Sequence, residues 1–206
     1  MKHQLIRHVI IGLALLTLLT ACASTKTLHV WKDEQYNQRL RKVLIIAVTE
    51  QEFMREHFEN VLAESLQSRG IEAVPSNKVL PQSSAKIDRE AVVAKVRELG
   101  IENVLVSRSV GKKEVSQLTP GGLYFVPTDY YGGWYSFYSD SLFVVSVGSS
   151  AYDAEYFNIV NNVYDVRNDK LIWSYLSRVK VENSKQGAIN PFIDVLMKQM
   201  KESGLL

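Results

Sequence analysis

Residues 42–48 read Lys-Val-Leu-Ile-Ile-Ala-Val, a continuous apolar run in which most side chains are β-branched. Such a run is typical of a strand that is buried on both faces, as in a parallel sheet. Downstream, Phe58, Leu62 and Leu66 recur at helical spacing before Gly70. This pattern predicts a helix with one buried face that ends at the glycine.

The same order of elements then repeats. Residues 71–74 predict a short strand, residues 88–99 predict a second helix that ends at Gly100, and residues 101–110 predict a central strand. The chain leaves both helices through the sequence Gly-Ile-Glu, which begins at Gly70 and at Gly100. We interpret this as shared turn chemistry. The β-α-β-α-β order implies parallel strands joined by right-handed crossovers.

The second half of the chain has a different pattern. Residues 156–166 and 170–182 are strand-like runs joined by Arg167-Asn168-Asp169, which is a hairpin signal. Residues 143–147 predict another strand, and a closing helix follows Gly187. The predicted fold is therefore a single α/β domain with a mixed sheet. The sheet is parallel in its first half, ends in an antiparallel hairpin, and packs against helices that include a C-terminal one.

Composition and charge exclude several classes of protein. The chain has 206 residues, of which 46% are hydrophobic and 22% are charged, so it can bury a core. Its formal net charge is +2. Lys2 and Arg7 are the only charged residues in the first 21, so 22 basic and 22 acidic residues remain beyond them. Without a basic excess, nucleic acid is not an expected partner.

Residues 1–21 have the three parts of an export signal. Met1 to His8 is basic, Val9 to Leu19 is almost wholly apolar, and small residues follow. The apolar run of 11 residues is too short for a membrane-spanning helix, which needs about 20. This segment is therefore predicted to be a signal peptide that is removed from the mature protein.

Leu19-Thr20-Ala21-Cys22 resembles the bacterial lipobox. In lipoproteins of that type the chain is cut before the cysteine, which carries a diacylglyceryl group and an acylated amine. Cys22 is the only cysteine, so the chain offers neither an internal disulfide nor a second thiol. The resemblance implies attachment to a membrane through acyl chains, which bind by about 0.8 kcal/mol per buried CH₂.

The residue after the cysteine bears on location. It is Ala23, whereas Asp at this place is the usual signal for retention in the inner membrane of bacteria. The resemblance to sorted lipoproteins therefore implies the outer membrane, with the domain facing the periplasm. Residues 22–41 are expected to form the lipidated cysteine and a polar tether, on which Trp31 packs at the domain edge. Residues 42–206 are expected to form the periplasmic α/β domain.

An insertion at about residues 118–140 stands out by composition. Eight of the 20 aromatic residues lie between Tyr124 and Tyr138, and residues 120–138 contain four glycines and two prolines. No Lys or Arg occurs from Glu114 to Val166, which argues against single-stranded nucleic acid and anionic lipid headgroups as ligands of this segment. The candidate interaction residues are Tyr124, Tyr130, Tyr131, Trp134, Tyr135 and Tyr138.

Three interpretations of the insertion stay open. Its aromatic side chains could fold back over the sheet as a structural cover. They could instead form an exposed patch for an envelope protein or for a second copy of the chain, since Tyr and Trp bring large contact area at low entropy. They could also stack against sugar rings as a glycan-binding platform, in which Tyr130, Tyr131, Trp134 and Tyr135 supply the faces.

Catalytic and metal-binding motifs were not found. His29 and His57 are the only histidines after the predicted signal peptide, and neither has further ligands at metal spacing. The sequence therefore predicts no metal site, no enzyme activity and no cofactor other than the covalent lipid on Cys22. Arg55 and Glu59 stand four residues apart on the first helix and are predicted to form a solvent-exposed ion pair.

Several motifs together resemble an uncharacterised family of lipoproteins of Gram-negative bacteria. They are the lipobox, the lead-in with Trp31, residues 42–46 and 69–73, Asn103-Val104-Leu105-Val106-Ser107-Arg108, the Tyr/Gly-rich insertion, and Val163-Tyr164-Asp165 leading to residues 170–174. At the level of fold the arrangement also resembles penicillin-binding-protein activator lipoproteins, the curli-secretion lipoprotein and the amino-terminal domain of the Tol-system propeller protein. The resemblance implies an accessory module of the cell envelope, and it carries over no catalytic residue.

Overall fold

The apolar run that begins at Lys42 forms a strand, and six of its seven residues are buried. The computed structural model describes residues 25–49, 51–80, 89–110, 156–181 and 184–206. The strands are β1 (Thr25–Lys32), β2 (Lys42–Val48), β3 (Glu72–Pro75), β4 (Asn103–Val110), β5 (Tyr156–Asp165) and β6 (Lys170–Lys180). The helices are α1 (Glu52–Gln67), α2 (Arg89–Glu98) and α3 (Ile189–Glu202).

The strands form one mixed sheet in the order β1-β6-β5-β4-β2-β3. The neighbours β3, β2 and β4 are parallel, while β4 with β5, β5 with β6, and β6 with β1 are antiparallel. The predicted fold class is therefore confirmed: the first half is parallel, the second half contains the hairpin, and the chain closes with a helix. The predicted strand at residues 143–147 lies outside the described residues.

The strands begin and end along two opposite sides of the sheet, and the strand directions make these two sides different. We call one the upper edge; it holds the last residues of β2, β3, β4 and β6 and the first residues of β1 and β5. The lower edge holds the opposite ends. Helix α1 starts at the upper edge because it follows β2, and α2 ends at the lower edge because it leads into β4. The upper edge is thus the carboxyl-end edge of the parallel strands, where α/β proteins commonly bind ligands.

Helices cover both faces of the sheet. On one face, α1 and α3 bury Leu62, Leu66 and Leu196 against alternate residues of the strands, including Trp173. On the other face, α2 contributes Val92 and Val96 to a smaller core; its strand residues are Leu44, Ile46, Val104 and Val106. This two-sided cover explains why β2 has no polar face.

Strand β1 corrects the prediction that residues 22–41 form a tether. Thr25 to Lys32 pair antiparallel with β6, from Thr25 opposite Val179 to Lys32 opposite Trp173. The polar composition that suggested a tether is that of an edge strand: Lys26 and Thr27 are exposed, and the register is irregular between Thr27 and His29. Trp31 lies half-buried on this edge strand, so the fold begins by residue 25.

The three helices in the described residues end with the same backbone motif. Gly70, Gly100 and Gly204 have φ angles of +80°, +62° and +70°. In each case the residue after the glycine donates its N–H to the carbonyl five residues back, as Ile101 does to Val96 at 3.0 Å. This is the Schellman arrangement, in which the glycine adopts the left-handed conformation. The shared turn chemistry predicted at Gly70 and Gly100 is confirmed.

Replacing Gly100 with alanine is expected to lower the free energy of unfolding by about 1 kcal/mol, because an L side chain disfavours a positive φ. No atom lies within 4 Å of the position a Cβ would take, so backbone conformation alone sets the effect. Asparagine tolerates this region better, so Gly100→Asn is expected to lose less. Urea unfolding of the three proteins checks the order, and equal stabilities would contradict it.

Candidate functional site

The lipidation and interaction residues predicted from the sequence lie outside the described part of the chain. This holds for the predicted lipidation site Cys22 and for the preceding lipobox residues Leu19, Thr20 and Ala21. It also holds for the aromatic insertion, with Tyr124, Tyr130, Tyr131, Trp134, Tyr135 and Tyr138. The structure nevertheless defines the points at which the described chain meets these segments.

Those points all lie on the upper edge. Thr25, the first residue of β1, pairs with Val179 near the end of β6. Val110, the last residue of β4, pairs with Asn158 near the start of β5. Thr25, which follows the predicted anchor, is on β1, and the two flanks of the aromatic segment are on β4 and β5. These three strands lie within the run of four neighbours β1-β6-β5-β4. The upper edge is therefore the candidate functional site.

A buried charged network lies at this edge. The Glu59 carboxylate on α1 is fully buried, and its Oε1 accepts hydrogen bonds from the Ala47 backbone N–H at 2.9 Å and the Ser76 hydroxyl at 2.7 Å. Its Oε2 accepts from the backbone N–H and the side-chain amide of Asn77, at 2.7 and 2.9 Å. The Arg55 Nε donates to Oε1 at 3.2 Å.

This geometry corrects the prediction of a solvent-exposed Arg55–Glu59 pair. The Arg55 side chain is only 5% exposed, and its guanidinium also donates to the Ser76 hydroxyl at 2.9 Å. The (i, i+4) spacing gives contact between the two residues but does not say which side of the helix they occupy. Ser76 and Asn77 were missed because they form the network only when the turn after β3 packs beside α1. Their place directly after Pro75 at a strand end was the available signal.

The network has a structural role. Glu59 accepts five hydrogen bonds, so its carboxylate is already saturated and is poorly suited to take a proton from a substrate. It joins the end of β2, the first turns of α1 and the short helix Ser76–Lys78 that follows β3. The network therefore fixes one half of the upper edge.

Two exposed aromatic residues also lie at the upper edge. Among the described residues, Phe53 and Tyr156 are the large hydrophobic side chains that are exposed, by 57% and 37%. Phe53 is in the first turn of α1 and stacks on His57, with ring centroids 6.0 Å apart. Tyr156 is the first residue of β5. Exposed aromatic side chains at one end of a domain favour a contact surface there.

Several charged side chains at the lower edge form ion pairs. Arg41 contacts Glu102 at 2.8 Å, and Lys42 contacts Glu72 at 2.6 Å. The Asp165 carboxylate, which is only 4% exposed, accepts the backbone N–H and Nε of Arg167, both at 2.9 Å. These pairs neutralise one another, and among the described residues no group of three His, Cys, Asp or Glu side chains could hold a metal ion.

Stability is expected to depend on pH through Asp165. The hydrogen bond from the Arg167 side chain holds the pKa of the Asp165 carboxyl below its ordinary value of 3.8. A lowered folded-state pKa contributes stability above the unfolded pKa and loses it as pH falls through the folded one. The stability difference between wild type and Asp165→Asn should be constant above about pH 5 and narrow below about pH 4. Urea unfolding across this range measures it, and a difference that widens at low pH would contradict the assignment.

Several buried polar atoms have no partner in the described part of the chain. Asn162 Oδ1 and Ser174 Oγ stand on cross-strand neighbours of β5 and β6, and both amide atoms of Asn161 face the opposite side of the sheet. These residues are at most 1% exposed. Buried polar atoms of this kind are commonly satisfied by ordered water. Burial also lowers the pKa of His29 on the edge strand.

No helix in the described residues has the length and apolar character needed to cross a membrane.

Comparison with known proteins gives similarities in structure only. No protein-family model matches the chain, and no curated protein matches it, so the uncharacterised lipoprotein family expected from the motifs has no support from these comparisons. A PelC dodecamer from Paraburkholderia phytofirmans shares 13% identity at a TM-score of 0.43, covering 84% of this chain and 96% of that one. Lipoprotein GNA1162 from Neisseria meningitidis shares 11% at 0.39, covering 78% and 96%.

The LpoB C-terminal domain from Salmonella enterica shares 14% identity at a TM-score of 0.37, covering 70% of this chain and 86% of that one. One of these three structures is named as a lipoprotein. At such identities and scores they assign no ligand or activity to this chain.

Proposed function

We propose that the chain is a lipid-anchored lipoprotein of the bacterial envelope that acts as an accessory module by binding another envelope protein. Cys22 carries the lipid, and the domain faces the periplasm from the outer membrane. The aromatic segment, with Tyr124, Tyr130, Tyr131, Trp134, Tyr135 and Tyr138, supplies the contact surface.

One observation carries this proposal: the predicted anchor and the aromatic segment join the domain at the same edge of the sheet. Thr25 follows Cys22 by three residues, and Val110 and Tyr156 flank the aromatic segment. A contact surface beside the anchor suits a module that acts close to its own membrane. The composition of the segment supports a protein partner, since Tyr and Trp are enriched in the cores of interfaces.

Location in the outer membrane rests on Ala23, the residue after the predicted lipidation site. Its small, uncharged side chain lacks the carboxylate of the usual retention signal for the inner membrane. Residence in the inner membrane is the alternative. Density-gradient separation of the two membranes distinguishes them.

A glycan ligand is the second candidate. Four aromatic side chains, Tyr130, Tyr131, Trp134 and Tyr135, lie within six residues that also contain Gly132 and Gly133. Flat aromatic faces stack on sugar rings, and the absence of Lys and Arg from Glu114 to Val166 is compatible with a neutral ligand. Titration with peptidoglycan or polysaccharide fragments, followed by Trp fluorescence, tests this; a flat titration excludes it.

An enzyme is the least favoured function. The sequence carries no nucleophile motif and no phosphate loop, and Glu59, the most buried carboxylate of the upper edge, is saturated by its hydrogen bonds. We therefore propose no catalytic residue and no cofactor beyond the lipid.

The proposal is tested by photo-crosslinking in living cells. A photoreactive residue replaces Trp134, and a matched variant carries it at Gln38, which is exposed and lies between β1 and β2 near the lower edge. A discrete adduct with an envelope protein from position 134 alone is the expected result. An adduct of twice the subunit mass identifies self-association instead. No adduct from a folded, membrane-bound protein contradicts the contact surface.

A further inference from the structure

The link between the predicted anchor and the sheet is very short. Only Ala23 and Ser24 separate Cys22 from Thr25, the first residue of β1. Three residue steps span at most about 11 Å even when fully extended. A lipidated Cys22 would therefore hold the start of β1 within about 11 Å of the acyl attachment point.

Strand β1 is itself fixed in the sheet. It pairs with β6 from Thr25 opposite Val179 through to Lys32 opposite Trp173, and the Asp33 N–H continues the pairing to the Ile172 carbonyl at 3.0 Å. Because β1 is part of the sheet, the short link to the anchor restricts the position of the whole domain. A domain attached in this way has much less orientational freedom than one on a tether of 20 residues, which would reach about 25 Å.

The upper edge has side chains that suit a lipid headgroup region. The two exposed aromatic residues among the described ones, Phe53 and Tyr156, both lie there. Lys26 and Arg178 stand directly opposite each other on β1 and β6, and Lys185 lies over the Phe157 ring at 5.0 Å. Like charges placed opposite in a sheet repel each other, and a shared anion relieves that repulsion.

Within the described ranges, no carboxylate lies within ion-pair distance of Lys26, Arg178 or Lys185, and the Arg178 Nε donates to the Asn158 side-chain oxygen at 3.0 Å. At the lower edge, Arg41, Lys42 and Arg167 each contact a carboxylate. Two acidic residues are close in sequence to this end of the sheet: Glu155 precedes β5 and Glu182 follows β6. Both lie outside the described residues.

We infer that the upper edge rests against the phospholipid surface, with Lys26, Arg178 and Lys185 contacting headgroup phosphates and Phe53 and Tyr156 lying at the level of the headgroups. The inference rests on the proposed lipidation of Cys22. It adds a fixed orientation: the sheet stands upright on the bilayer, and the lower edge points away from it. Strand β5, with 10 residues, puts the lower edge about 30 Å further from the membrane.

Spin labels on the full lipidated protein test this orientation. Lipidation blocks the sulfur of Cys22, the only cysteine, so an introduced cysteine is the only free thiol. Labels at Phe53→Cys and Lys185→Cys report on the upper edge, and labels at Gln38→Cys and Lys170→Cys serve as matched controls at the other edge. Each variant is reconstituted into vesicles of phosphatidylethanolamine and phosphatidylglycerol that contain a nickel-chelating lipid.

Nickel at the headgroups should relax the upper-edge labels strongly. Because dipolar relaxation falls with the sixth power of distance and the edges are about 30 Å apart, at least a tenfold difference between the two pairs of labels is expected. Equal relaxation at all four positions would show that the domain turns freely on its anchor and would overturn the inference. Flotation of the protein with the vesicles, compared with Cys22→Ala, tests lipidation separately, so failure of the anchor is distinguishable from failure of the orientation.

Charge reversal tests the headgroup contacts. The double variant Lys26→Glu and Arg178→Glu should lose most of the relaxation difference while it still floats with the vesicles, because only the anchor then holds it. The matched double variant Lys170→Glu and Lys201→Glu reverses two exposed charges near the lower edge and should keep the difference. An unchanged difference in the first variant would overturn the role of the cations.

Discussion

Replacing Glu59 with alanine is expected to lower the free energy of unfolding by about 3–5 kcal/mol, because it leaves a buried guanidinium without its main partner. Arg55 is only 5% exposed, and the remaining carboxylate near it, that of Glu52, lies 3.5 Å away and is partly exposed. The backbone N–H groups of Ala47 and Asn77 would lose their acceptors as well.

Two further variants separate charge from hydrogen bonding. Glu56→Ala, an exposed glutamate on the same helix, is the matched control and should change stability by less than about 0.5 kcal/mol. Arg55→Met combined with Glu59→Leu should be less destabilising than Glu59→Ala alone, because no charge stays buried. Urea unfolding measures all three. A loss below about 1 kcal/mol for Glu59→Ala would contradict the burial of the pair.

Replacing Trp173 with alanine is expected to have a similarly large effect, about 3–5 kcal/mol, because it empties a large volume in the main core. The side chain is fully buried under α3, stacks on Tyr175 with ring centroids 5.8 Å apart, and donates its Nε1–H to the Ser203 hydroxyl at 2.9 Å. It joins β6 to Ser203, the residue that follows the C-terminal helix.

The matched control is Trp31→Ala. Trp31 is only half-buried on the edge strand, so its replacement should lower the free energy of unfolding clearly less. Ser203→Ala removes the hydrogen bond alone and should cost about 1 kcal/mol. Thermal and urea unfolding measure the loss of stability in each of the three variants. If Trp31→Ala were the most destabilising of them, the position of Trp173 in the core would be wrong.

The parallel half of the fold was predictable because its signals are local. The run at residues 42–48 can be buried only between two layers, and the apolar spacing of the helices marks their inner faces. The Gly-Ile-Glu sequences at Gly70 and Gly100 place the helix ends, at Gln67 and Glu98, to within three residues. These features depend on backbone conformation and periodicity, which neighbouring residues determine.

Strand β1 and the Glu59 network were not predictable in the same way. Strand β1 has few apolar residues because only one side of it is paired, and its partner β6 lies about 150 residues away along the chain. Glu59 is buried because Ser76, Asn77 and Ala47 meet it from two other elements. Such contacts follow from tertiary packing, which the spacing of Arg55 and Glu59 does not encode.

The candidate site was predictable only in its chemistry. Cys22 and the aromatic residues near Trp134 are marked by residue type and context, so the sequence can name them. Their relative position depends on the strand directions, which bring Thr25, Val110 and Tyr156 to one edge. The combination of the two supports a module that works next to its anchor.

The intact mass of the protein extracted from bacterial membranes tests the anchor most directly. Our account predicts a chain that begins at Cys22 and carries a diacylglyceryl group on sulfur and an acyl chain on the amine, with Cys22→Ser giving no such species. A chain cut elsewhere, or one with a free thiol at Cys22, would contradict it.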